Sequence, residues 1–319
     1  MIIYKDERKK ILYKKMQIPK DHLKLHFIII LNSFVPLILN KIELLDPEVI
    51  VLYRMLTAFV LLGLFLYFKK EKIIQHGKEA VILLSSGLLL AAYWGFLILS
   101  VKVGNVSVAL VGMATTSLWI SFIEPTFFGV KAKPFQSLIG INAIIGIYVI
   151  FQSDFEYGQG LAFGLVGSFF SAMVTIISSQ LSKRHKPMVV TLYQMLGGWI
   201  GMTFFLIIYS SFIAKESVNM KPSWSDAALI LGLVLVFSIY AYTVFIEITK
   251  TISPFTVSLV SNLSPIYGIL FAVTFTEEAK TMSNGFIAGA IMLLLSVFAY
   301  PILMYYLNRA QKAKDTPSA

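Results

Sequence analysis

Any chemistry in this sequence has to come from few groups, because only 14% of its 319 residues are charged and it has no cysteine. Arg54, Glu124 and Glu247 lie inside or at the ends of long apolar runs. Ionisable groups in such runs mark ion or substrate paths, or the partners of other buried charges. Arg54 falls about six residues, or roughly 9 Å, past the start of its run, within snorkelling reach of an interface. It reads first as an interfacial anchor paired with Glu43, Asp46 or Glu48; the alternative is a cation at an outer gate that captures a carboxylate. Glu124 and Glu247 could each carry a coupling proton. Lys131 near the first and Lys250 three residues from the second favour structural ion pairs.

The second source of chemistry is polar residues at the midpoints of apolar runs, where a polar group needs a partner or water. These are Asn32 and Ser33, Tyr93 and Trp94, Thr115 to Ser117, Ser171 and Thr175, Ser238 with Tyr240 and Tyr242, and Asn262 with Ser264. From them Asn32, Tyr93, Trp94, Thr115, Tyr240, Tyr242 and Asn262, with Trp119 and Arg54, form the candidate substrate-binding set. Aromatic walls with hydrogen-bonding groups suit neutral, zwitterionic or amphipathic solutes. Any single serine or threonine could equally be glue between helices.

Other chemistries lack their residues. His22, His26, His76 and His185 do not have metal-ligand spacing, so no metal and no cofactor is expected. No phosphate-binding glycine-lysine loop occurs, and no cluster of His, Asp, Glu or Cys sits at one depth as a membrane-embedded enzyme would need. The net charge of +10 does not argue for nucleic acid, because it comes largely from short basic clusters between apolar runs.

The elements that must position these groups are membrane-spanning helices. The chain is 57% hydrophobic with a mean hydropathy of +0.77, and runs of about 18 to 22 residues suffice to cross a bilayer. Hydropathy predicts ten spans, near 25–40, 49–68, 80–101, 106–128, 135–151, 160–181, 189–209, 227–247, 254–275 and 284–306. Residues 1–24 form a basic tail without a cleavage site, and 309–319 a second tail. Lysine and arginine crowd the tails and alternate connections (Lys69 to Lys78, Lys131 and Lys133, Lys183 to Lys186, Lys250). Only Lys41, Lys102, Lys215, Lys221 and Lys280 fall on the other side. The positive-inside rule then puts both termini in the cytosol.

An internal repeat is visible. DPEVIVLYRML from Asp46 resembles KPMVVTLYQML from Lys186, with Pro47 and Pro187 standing 140 residues apart. AYWGF from Ala92 resembles AYTVF from Ala241, VALV from Val108 resembles VSLV from Val257, and Gly140 matches Gly289, each at 149 residues. Repeats of five spans, 25–155 and 156–308, must enter the membrane from opposite sides because five is odd. The expected fold is all-α, ten transmembrane helices in two inverted five-helix repeats.

On the DP…R pattern of Asp46, Pro47 and Arg54, the AYWGFLILSVKVGNVSVALV run, AYTVF, and NLSPIYGILFAVTFTEE from Asn262, the chain resembles the drug/metabolite transporter superfamily, in its ten-helix EamA-type branch. Thr115 and Thr116 stand where that family often has proline, and Gly129 falls opposite Glu278. The resemblance implies a secondary transporter moving an amino acid, nucleobase-like or amphipathic metabolite, mostly outward, across a bacterial cytoplasmic (inner) membrane. A proton or another ion would couple the movement, and the chain would act as a monomer or weak dimer. A non-transporting receptor or scaffold, or a membrane-embedded enzyme, is the alternative.

Overall fold

A computed structural model describes residues 20–73, 77–128, 157–213 and 218–252, with parts of 145–149, 254–274 and 283–299. Among the described residues seven helices are long and apolar enough to cross a membrane: α1 (Lys20–Asn40), α2 (Pro47–Phe68), α3 (Gly77–Val103), α4 (Val106–Thr126), α5 (Gly158–Arg184), α6 (Pro187–Ser211) and α7 (Trp224–Ile248). A shorter helix, α8 (Pro254–Ser261), follows. The expected spans 135–151, 254–275 and 284–306 fall wholly or partly outside the described residues.

Local sequence explains where these helices start. Pro47 and Pro187 occupy first-turn positions, where a missing N–H costs nothing, after extended Asp46 and Lys186. Asn105 caps α4 by accepting from the Val108 amide at 2.8 Å, and Ser223 and Asp226 form a capping box at the start of α7. Three helices depart from regular geometry midway. α1 breaks at Ser33 and Phe34, just before Pro36. α4 breaks at Thr115, where the Thr115 and Thr116 hydroxyls donate back to the Gly112 and Met113 carbonyls, each at 2.7 Å. α7 runs as a π-helix over Leu233–Ala241.

The centre of the bundle is α3, packed most extensively on α5 and α6. Small residues allow this. The Cα atoms of Gly112 and Gly164 face each other across α4 and α5, and Ser100 Oγ donates to the Gly160 carbonyl at 2.6 Å. Gly87 and Gly197 let the backbones of α3 and α6 touch. Glycines spaced four apart in α5 and α6 thus serve packing inside the chain.

Two helical stretches match in length at the offset of the paired motifs. The first 22 residues of α6, Pro187–Ile208, lie 140 residues beyond Pro47–Phe68, the whole of α2. The two helices pack antiparallel, since Lys186 at the start of α6 pairs with Glu71 just past the end of α2. Described connections sort to two ends. At one, Arg184 and His185 meet Glu79, and Asp21 accepts from the Thr251 hydroxyl. At the other, Asp46 accepts from the Asn219 amide, Tyr53 donates to the Met220 carbonyl and Lys102 donates to the Ile42 carbonyl. Large apolar side chains such as Leu64, Phe204, Ile207 and Leu235 cover the outside of the bundle, a surface suited to lipid.

Candidate functional site

A cavity of about 180 Å³ lies inside the bundle. Its walls come from α1 (Asn32, Val35, Pro36), α3 (Tyr93, Trp94, Leu97), α4 (Leu110, Met113, Thr116), α5 (Ser171, Thr175) and α7 (Phe237, Tyr242, Phe245). Ser261 of α8 and Ser264 add to them, and α2 contributes a single side chain, Arg54. Apart from α2, these are the helices that the polar midpoints single out.

Arg54 is not an interfacial anchor. It is 2% exposed and reaches sideways into the protein, where its Nε and Nη2 donate to Ser238 Oγ at 3.4 and 3.1 Å. The guanidinium carbon lies 3.9 Å from the centroid of the Trp94 ring, a cation–π contact. Glu43, Asp46 and Glu48 are not its partners, and Nη1 has none among the described residues. A six-residue depth allowed snorkelling, but the side chain took the inward direction.

The aromatic wall continues from there. Trp94 meets Tyr242 edge to face at 6.2 Å, and Tyr242 stacks on Phe245 at 6.4 Å. The Tyr242 hydroxyl donates to Gln194 Oε1 at 2.8 Å, while Gln194 Nε2 donates to Ser86 and Ser178, each at 3.0 Å. The π-helix of α7 carries Ser238, and the regular helix resumes at Tyr242. A π stretch holds more residues per turn than an α-helix, which sets which of its side chains face inward.

Of the nine candidate residues, Asn32, Arg54, Tyr93, Trp94 and Tyr242 line the cavity. Thr115 does not: its hydroxyl is spent on the Gly112 carbonyl and on Ser168 Oγ at 2.7 Å, and the next residue, Thr116, faces the cavity instead. Trp119 donates its indole N–H to the same Ser168 at 3.0 Å and is partly exposed on the outside. Tyr240 is 50% exposed, on the outer face of α7. Asn262 lies outside the described residues, although Ser261 and Ser264 beside it line the cavity. Met113 and Phe245 are walls that polar midpoints could not reveal. Phe245 was within reach of inference, being about one turn from Tyr242 on the same face.

Glu247 pairs with Lys24 of α1 at 3.2 Å rather than with Lys250. Lys131, the expected partner of Glu124, lies outside the described residues. No group of His, Cys, Asp or Glu able to hold a metal occurs among the described residues.

Comparison with known proteins places this geometry in context. The model of the EamA-like transporter family matches twice, at residues 14–152 and 158–301. An uncharacterized transporter of Synechocystis sp. is 26% identical over 69% of this chain, and one of Archaeoglobus fulgidus is 23% identical over 62%. The match spans 56% of the Synechocystis protein and 67% of the Archaeoglobus one. A solved crystal structure shares the fold with a TM-score of 0.62 at 15% identity, over 90% of this chain and 98% of its own.

Proposed function

The chain belongs to the EamA-like transporter family of multi-pass membrane proteins, and on that premise we propose that it is a secondary transporter carrying a small metabolite through the cavity by alternating access. The observation that carries the proposal is the cavity itself: an aromatic wall, scattered hydroxyls and one buried cation, lined by six helices and the segment around Ser261. A small-molecule site of this kind is concave and largely apolar, with a few placed polar groups.

The architecture proposed is ten helices in two inverted repeats. The twofold family match, the equal spacing of α2 and the first 22 residues of α6, and their antiparallel packing all support it. Substrate in such folds sits near the midplane where the repeats meet. The lysine and arginine bias supports cytosolic termini, and the membrane proposed from the family resemblance is a bacterial inner membrane. Export is the direction proposed, with a proton or ion as the coupling partner and a monomer or weak dimer as the working unit.

Purified protein reconstituted in proteoliposomes tests the proposal. Flux that depends on an amino acid, a nucleobase, an organic acid or an amphipathic amine is the expected result. Folded protein giving no flux with any of these classes would end the transporter reading.

A further inference from the structure

Arg54 Nη1 is the one buried side-chain polar atom without a partner among the described residues. Its surroundings make this more than a packing accident. Ser238 occupies Nε and Nη2, Trp94 covers one face of the guanidinium, and no aspartate or glutamate lines the cavity among the described residues. Arginine keeps its charge under all biological conditions. A desolvated cation without an anion is costly, so a position like this calls for an anion, and the described walls supply none.

We infer that the cavity binds a small monocarboxylate with an apolar body, its carboxylate on the guanidinium of Arg54 and its body against Trp94 and Tyr242. Charge sets the class: a single cation balances a single negative charge, so a phosphate dianion would keep uncompensated charge in an apolar enclosure. The same reasoning disfavours an added ammonium, for which the described walls offer no carboxylate. At about 180 Å³ the cavity is somewhat larger than the roughly 150 Å³ that holds benzene, which is room for one ring or a short branched chain beside the carboxylate. The inference deepens the transport proposal and rests on it only in treating the occupant as cargo.

The test is binding to the full-length protein in detergent or nanodiscs, by calorimetry and thermal shift. The probes are 3-phenylpropionate, its primary amide, L-phenylalanine and inorganic phosphate, with 3-methylbutyrate and its amide as a smaller pair. In the wild type the acids should bind at least tenfold tighter than their amides, and 3-phenylpropionate tighter than phenylalanine or phosphate. In Arg54→Gln the acid-to-amide ratio should fall to within twofold, and in Arg54→Lys it should be intermediate. Equal binding of acid and amide, no binding by either acid, preference for phenylalanine or phosphate, or a ratio that survives Arg54→Gln would each overturn the inference. Should Arg54→Gln fail to fold, the wild-type ratios and Arg54→Lys still decide. Acid binding with the expected ratio but no flux in liposomes would overturn transport and leave the site. Flux equal for acids and amides would do the reverse.

Discussion

Arg54 and Gln194 stand at the same position of two 22-residue helical stretches, 140 residues apart, and both are buried. They have opposite accounts. Gln194 is fully engaged, donating to Ser86 and Ser178 and accepting from Tyr242, so it ties α6 to α3, α5 and α7. Arg54 is under-engaged, holding one serine and one indole face, with one nitrogen that has no partner among the described residues. The two are joined across the cavity wall: Arg54 lies on Trp94, the ring of Trp94 meets that of Tyr242, and Tyr242 is held by Gln194. One position is a clamp and the other keeps bonding capacity in reserve. A buried amide stabilises when every partner is present, whereas a buried lone cation does not.

Substitutions on each side test this division. The largest loss belongs beside the clamp: Gly197→Ala puts a Cβ into the Leu84 carbonyl, which is backbone and cannot yield, so folded yield on size exclusion should collapse. Gly201→Ala meets only the flexible end of Leu88 and should be recovered nearly intact. Gln194→Leu removes the three hydrogen bonds to Ser86, Ser178 and Tyr242 and should lower stability by about 2 kcal/mol, read as a fall in melting temperature. Tyr242→Phe removes one of those bonds and should cost about 1 kcal/mol. Arg54→Met should change stability least on this axis, by less than about 1 kcal/mol and in either direction, because it replaces an uncompensated charge with an apolar chain. Its substrate-dependent flux should nevertheless disappear. Arg54→Met melting as low as Gln194→Leu would erase the distinction between clamp and reserve.

Much of the scaffold could be read from the residues. Hydropathy located the seven long described helices, and the paired motifs around Pro47 and Pro187 became helical stretches of equal length. Depth was therefore legible, but direction around each helix was not. Thr115 and Thr116 differ by about 100° of rotation, and Tyr240 and Tyr242 by about 200°. In helices apolar on nearly every face, nothing in the sequence says which of each pair looks inward. The local breaks at Thr115 and through Leu233–Ala241 shift these directions further. The partners of Arg54 and Glu247 were hidden for another reason: Ser238 and Lys24 lie 184 and 223 residues away, beyond any rule of local spacing.

The π-helix of α7 leaves a mechanical option in the bundle. Removing one bulged residue from that stretch would turn everything after it by about 100°. Tyr242 and Phe245, which follow that stretch, would swing off the wall. The aromatic face of the cavity thus depends on how the nine residues before it are wound.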